Sequence, residues 1–162
     1  MPLARLPFLP QGAKLLDLIF SMGYFEMVTR DLIFRFEDEL KKLPQVLLKI
    51  KHEFAEGLYA RTMTIPAGVA LVGAIHASES FMIVRKGSMA IWTEDGIKNF
   101  EAGDLIKSFP GAKRVGYAHE DTILTAFHAN PTNETDPELL WEMYIVESFD
   151  ALEFDVTLSL AG

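Results

Sequence analysis

The stretch FMIVRKGSMAIWTEDGIKNFEAGDLIKSFPG, residues 81–111, decides the fold class. Short runs rich in β-favouring residues, Phe81–Arg85, Met89–Thr93 and Ile97–Phe100, are separated by Lys86-Gly87, Asp95-Gly96 and Ala102-Gly103-Asp104. Asp-Gly between two such runs signals a tight hairpin, because glycine accepts the positive φ that the turn demands. The pattern extends both ways. Upstream, Leu47–Lys51 and Leu58–Ile65 bracket a Glu56-Gly57 turn, and Pro66-Ala67-Gly68 closes the second run. Downstream, Pro110-Gly111 precedes further strands ending near His128. No crossover helix lies between the runs, which disfavours a parallel sheet of strand–helix–strand units. Residues 46–130 therefore read as an antiparallel sandwich or small barrel.

Two helices are predicted ahead of this body. The first starts near Lys14, after a lead broken by Pro2, Pro7 and Pro10. The second carries Leu32, Phe36, Leu40 and Leu43 at helical spacing and stops at Pro44, which lacks a backbone donor. Residues 1–45 thus form an arm whose Phe8, Phe20, Tyr24 and Phe25 pack either on their own domain or on another subunit. Residues 131–162 form a C-terminal extension packing on the body, with an apolar segment over Leu139–Val146 and a last strand over Phe154–Leu160.

Composition narrows the function classes. The 162 residues are 49% hydrophobic and carry 15 Lys+Arg against 23 Asp+Glu, a formal charge of −8. Such a balance argues against charge-driven binding to nucleic acid or to an anionic membrane. With no cysteine, disulfides, thiolate metal sites and thiol nucleophiles are absent. Leu15–Val28 is interrupted by Asp17 and Glu26 and is too short to span a bilayer, so neither a membrane segment nor a secretory signal is expected.

Residues 68–118 resemble the two-part signature of the cupin superfamily. The first part, Gly68 to Gly87, aligns without a gap and places Ala74, His76 and Ser80 at the family's ligand positions. The second begins at Gly103, sets Pro110-Gly111 at its turn, and places Arg114 where the family has a histidine and Ala118 where it has an asparagine. The resemblance implies a mainly β fold: a single cupin-like antiparallel β-barrel of jelly-roll type, with the helical arm as an N-terminal extension. A cupin metal needs three imidazoles and a carboxylate. Alanine and serine replace two of those donors here, and a fixed guanidinium at a third repels a divalent cation. No metal, no cofactor and no catalytic residue are expected. His128 reads either as a strand residue hydrogen-bonded to a neighbour or, with His119 and His76, as part of a rebuilt site. His52 is expected at the surface, and Trp92 and Trp141 as core or interface aromatics.

Without a metal the barrel leaves a concave pocket. The motif alignment directs His76, Ser80, Arg114 and Met82 inward, with Tyr117 nearby and His128 as a further candidate. Arg114 either pairs with an acid such as Glu79, Glu120 or Asp121, or joins His76 in receiving an anionic group, for which its planar fork is suited. Residues 52–128 also look like small cupin-like proteins of tailed bacteriophages and prophages, through HEFAEGLYART, IPAGVALVGAIH, TEDG and PGAKRVGYAHEDT. That likeness implies a viral setting, in the host cytoplasm or incorporated in the virion. The leading expectation is a non-enzymatic protein acting through assembly, as a homo-oligomer or with other phage structural proteins. The alternative is a binder of a small anionic metabolite or nucleotide, and the third is a degenerate metal-dependent cupin enzyme.

Overall fold

The computed structural model describes residues 30–93, 96–149 and 152. The helix expected near Lys14, the rest of the arm before residue 30, and the strand expected over Phe154–Leu160 lie outside the described residues. Among the described residues, no helix is long and apolar enough to cross a membrane.

The chain is mainly β. Helix α1 (Arg30–Lys41) is followed by β1 (Lys49–Ala55), β2 (Gly57–Ile65), β3 (Ala70–Val72), β4 (Ile75–His76), β5 (Ser80–Lys86) and β6 (Ser88–Thr93). Then come β7 (Gly96–Glu101), β8 (Leu105–Ser108), β9 (Val115–Ala118), β10 (Thr122–Asn130), helix α2 (Pro137–Tyr144) and β11 (Ile145–Val146). Among the described residues, all the pairings are antiparallel. One sheet has the order β1-β2-β10-β5-β8, a second β3-β9-β6-β7, and β11 pairs with β4 alone.

Of the antiparallel sandwich or small barrel expected from the sequence, the described residues form two sheets and a small ladder, and the sheets do not close into a barrel. The chain passes between the two sheets at glycine joints. At Gly87 the chain leaves β5 in one sheet and enters β6 in the other. Its φ is +80°, and a Cβ there would meet the Asp121 carbonyl oxygen at 2.5 Å, so only glycine fits this crossing. At Gly103, with φ of +102°, the chain returns from β7 to β8 in the first sheet.

The main core fills the space between the sheets. Met63, Ile65, Val84, Ile106 and Leu124 come from the first sheet and Met89, Ile91 and Ala118 from the second. A second core lies on the outer side of the four-stranded sheet, where α1 buries Ile33, Phe36 and Leu40 against Ala70, Val72, Trp92 and Val115. Phe36 meets Trp92 edge-on at 5.5 Å between centroids. Ile33 takes the buried place expected for Leu32, and the helix ends at Lys41, before Pro44.

Helix α2 occupies the segment that the sequence marked only as apolar. Asp136 caps it by accepting the Glu138 N–H at 2.9 Å, and Pro137 opens it. It buries Leu140 and Tyr144 against Tyr59, and the Tyr144 hydroxyl donates to the Ala129 carbonyl of β10. Ile145 then pairs with His76 across the two-stranded ladder. These contacts hold α2 and β4 over one end of the inter-sheet space.

Candidate functional site

At that end the space opens into a cavity that offers about 110 Å³ to the centres of water-sized molecules. Strand alternation builds most of its wall. On β2, Tyr59, Arg61, Met63 and Ile65 share the inner face; Arg61 stands beside His52 on β1 and Ala126 on β10. Two residues along β10 from Ala126, His128 stands opposite Tyr59. Arg114, just before β9, and His76, on β4, add to the polar part, together with Ser108, Trp141 and Tyr144. Met63, Met82, Met89, Leu71, Ile91 and Leu124 supply much of the apolar part. The described lining residues contain two arginines and three histidines and no acid.

Arg61 is the most unusual of them. It is 9% exposed, and neither Nε nor Nη2 has a hydrogen-bond partner. Nη1 donates to the Met63 sulfur at 3.2 Å, and the guanidinium lies 5.7 Å from the Trp141 ring centre. Burial pulls its pKa down. A buried ion that lacks a counter-charge costs several kcal/mol after relaxation.

The histidines are arranged around it. The rings of His76 and His128 are near-parallel, with centroids 6.3 Å apart, and Tyr144 stacks on His128 at 4.5 Å. Both Nδ1 atoms are buried and unpartnered. Burial lowers both pKa values from 6.5 to about 4, helped by Arg114 and Arg61 at His76, and by His76 and Arg61 at His128. Both rings are thus neutral at pH 7. His52 Nδ1 lies 2.7 Å from the Tyr59 hydroxyl. Two expectations are corrected here. His128 is held by ring stacking instead of a hydrogen bond at Nδ1. His52 is a half-buried wall residue instead of a surface one, because β1 continues to Ala55 and carries it inward.

Of the residues singled out from sequence, His76, Arg114 and His128 come together in the cavity wall. Ser80 is buried on β5 with its hydroxyl unpartnered, and it does not line the cavity. Tyr117 follows Gly116 on β9 and so points to the other face, against the core under α1. Arg114 donates to Ser108 Oγ at 2.9 Å and to the Lys107 carbonyl at 3.0 Å. Of the acids considered for it, Glu79 pairs with Lys107 at 3.0 Å, Glu120 accepts from Ser88, and Asp121 accepts the Ala67 N–H. His119 is exposed and bonded to Asn99.

The metal of the cupin signature does not fit this wall. His76 and His128 supply two imidazoles, Ala74 supplies no donor, and two guanidiniums stand nearby. Among the described residues, no group of three or more His, Asp or Glu side chains converges on one point. Sequence reasoning missed Arg61. Its signal was the inward series Tyr59, Arg61, Met63, Ile65, in which a cation replaces an apolar residue at every-other spacing.

No protein-family model and no curated protein matches the chain. Among solved structures, it is similar to an RmlC-like cupin from Shewanella frigidimarina at 23% identity and TM-score 0.45, covering 51% of this chain and 75% of that one. KdgF from Halomonas sp. is similar at 14% identity and TM-score 0.45, covering 51% of this chain and 79% of that one. An HTH_3 family transcriptional regulator from Vibrio cholerae is similar at 19% identity and TM-score 0.45 over 52% of this chain, which spans about half (51%) of that protein's length. Proteins described as cupin-2 domain proteins are thus among its structural neighbours.

Proposed function

We propose that this chain is a cupin-type jelly-roll protein that binds a small anionic ligand between its sheets. Arg61 anchors the anion, and His76 and His128 present neutral ring nitrogens beside it. The observation that carries this reading is Arg61 itself, a guanidinium with two unpartnered donors in a cavity wall whose described residues include no acid. An anion supplies the counter-charge that the described residues do not. The cavity is smaller than the roughly 300–1,000 Å³ of drug-sized sites, which argues for a small metabolite over a nucleotide. No step of chemistry is assigned to it.

The test is a thermal-shift screen of small carboxylates, sulfate and phosphate at neutral pH. A binder at a hundred times its Kd stabilises by about 2.7 kcal/mol. The shift is expected to vanish in Arg61→Met with the fold intact. A shift that persists in that variant removes the reading.

Assembly remains as a second reading because of the outer face of the five-stranded sheet. There Leu58, Phe81 and Leu105 are 41%, 46% and 59% exposed on β2, β5 and β8. A second copy of this chain is the proposed occupant. Light scattering that gives the mass of one chain across a wide concentration range removes it. The phage likeness of residues 52–128 supports a viral setting for either reading.

A further inference from the structure

Resting on the anion-site reading, we infer that the ligand is a monocarboxylate with a small apolar body. The first argument is the shape of the free donor set. With Nη1 of Arg61 turned to the Met63 sulfur, the edge left over carries Nε and Nη2. These two N–H groups are parallel and spaced for the two oxygens of one carboxylate, the side-on fork of an arginine–carboxylate pair. A phosphate dianion calls for more donors than one fork. The terminal nitrogens of Arg114 already donate to Ser108 and to the Lys107 carbonyl.

The second argument is the charge that the histidines withhold. With pKa values near 4, His76 and His128 offer N–H groups and lone pairs at neutral pH and no positive charge. The third is the apolar part of the wall; of the other polar side chains there, Tyr59 meets His52, Tyr144 donates to the Ala129 carbonyl and Ser108 accepts from Arg114. Met63, Met82, Met89, Leu71, Ile91 and Leu124 offer no strong donor to a sugar or to a second acid, and they suit an alkyl or aryl body. A head that takes one fork and a body that takes methionine and leucine contacts describe one amphiphilic molecule.

The test is isothermal titration calorimetry of the full chain at pH 7.5 with hexanoate, acetate, hexanamide and inorganic phosphate, repeated on Arg61→Met. Hexanoate is expected to bind at least tenfold more tightly than each of the other three. In Arg61→Met its advantage over hexanamide is expected to disappear. Acetate or phosphate binding as tightly as hexanoate overturns the ligand class and leaves the anion site standing. Hexanamide matching hexanoate overturns both. No heat from any of the four overturns the class, while the wider anion screen still decides the site. Should Arg61→Met fail to fold, Met82→Phe tests the same proposal by filling the apolar half. There hexanoate is expected to fall to the affinity of acetate, and an unchanged preference overturns the inference.

Discussion

Among the described residues, Arg61 and Lys113 both bury a cationic side chain in this acidic chain, and they sit in opposite kinds of surroundings. The Lys113 side chain is 6% exposed; its Nζ lies 3.0 Å from Glu37 Oε2, on a carboxylate side chain 12% exposed, and donates to the Gly73 carbonyl at 3.0 Å. That pair ties α1 to the segment before β9. Arg61 is buried to nearly the same degree, yet it makes no ion pair among the described residues. A cation whose partner belongs to the scaffold stabilises the scaffold. One whose partner is missing weakens the empty protein and holds its donors for something else. Burial alone does not separate these roles; the partner does.

The largest expected effect comes from breaking the satisfied pair. Glu37→Ala leaves Lys113 charged and uncompensated, and urea unfolding should show a loss of about 3–5 kcal/mol. A loss below about 1 kcal/mol would erase the contrast. Acid should act next, through the two stacked histidines. Their folded pKa values near 4 lie below the unfolded 6.5, so the native protein binds fewer protons between those values. The stability they contribute is complete above pH 6.5 and is lost as pH falls through 4. Denaturant midpoints at pH 7, 5.5 and 4.5 check this, and NMR titration of the ring protons should show both pKa values rising in Arg61→Met.

Removing the unsatisfied cation should go the other way. In the unliganded protein, Arg61→Met is expected to raise stability by about 1–2 kcal/mol, since an apolar side chain of similar length suits the neighbouring methionines. A loss above 2 kcal/mol would mean that the fold itself depends on Arg61. The smallest effect belongs to an exposed pair. Lys107→Ala removes a contact with Glu79 between side chains 41% and 58% exposed, and should change stability by less than about 0.5 kcal/mol.

Much of the fold was legible because turns announce themselves. Glu56-Gly57, Lys86-Gly87, Asp95-Gly96 and Gly103 mark strand ends that the structure reproduces within a few residues. α2 was less legible, since its apolar segment is too short for periodicity to separate helix from strand, although Asp136-Pro137 is a helix-start signal. At the site, His76 and Arg114 were found through motif spacing. Tyr117 fell on the other face because a strand reverses direction at each residue, and Gly116 takes the inward place. Arg61 was missed for a related reason. β2 has apolar residues on both faces, Leu58 and Ala60 against Tyr59 and Met63, so the sequence does not declare which face is buried. His52 depended on a strand running four residues further than its apolar run.

Trp141 borders two chambers at once. It lines the inter-sheet cavity and also a second space of about 320 Å³ framed by Phe34, Glu37 and Lys41 of α1 together with β4 and β11. Among the described residues, Ala74 and Ile145 share that double position. The indole therefore stands between the two spaces, and under the proposed reading its bulk limits the length of a guest. Trimming it to alanine should join the chambers, so that the chain accepts longer tails than the native protein admits.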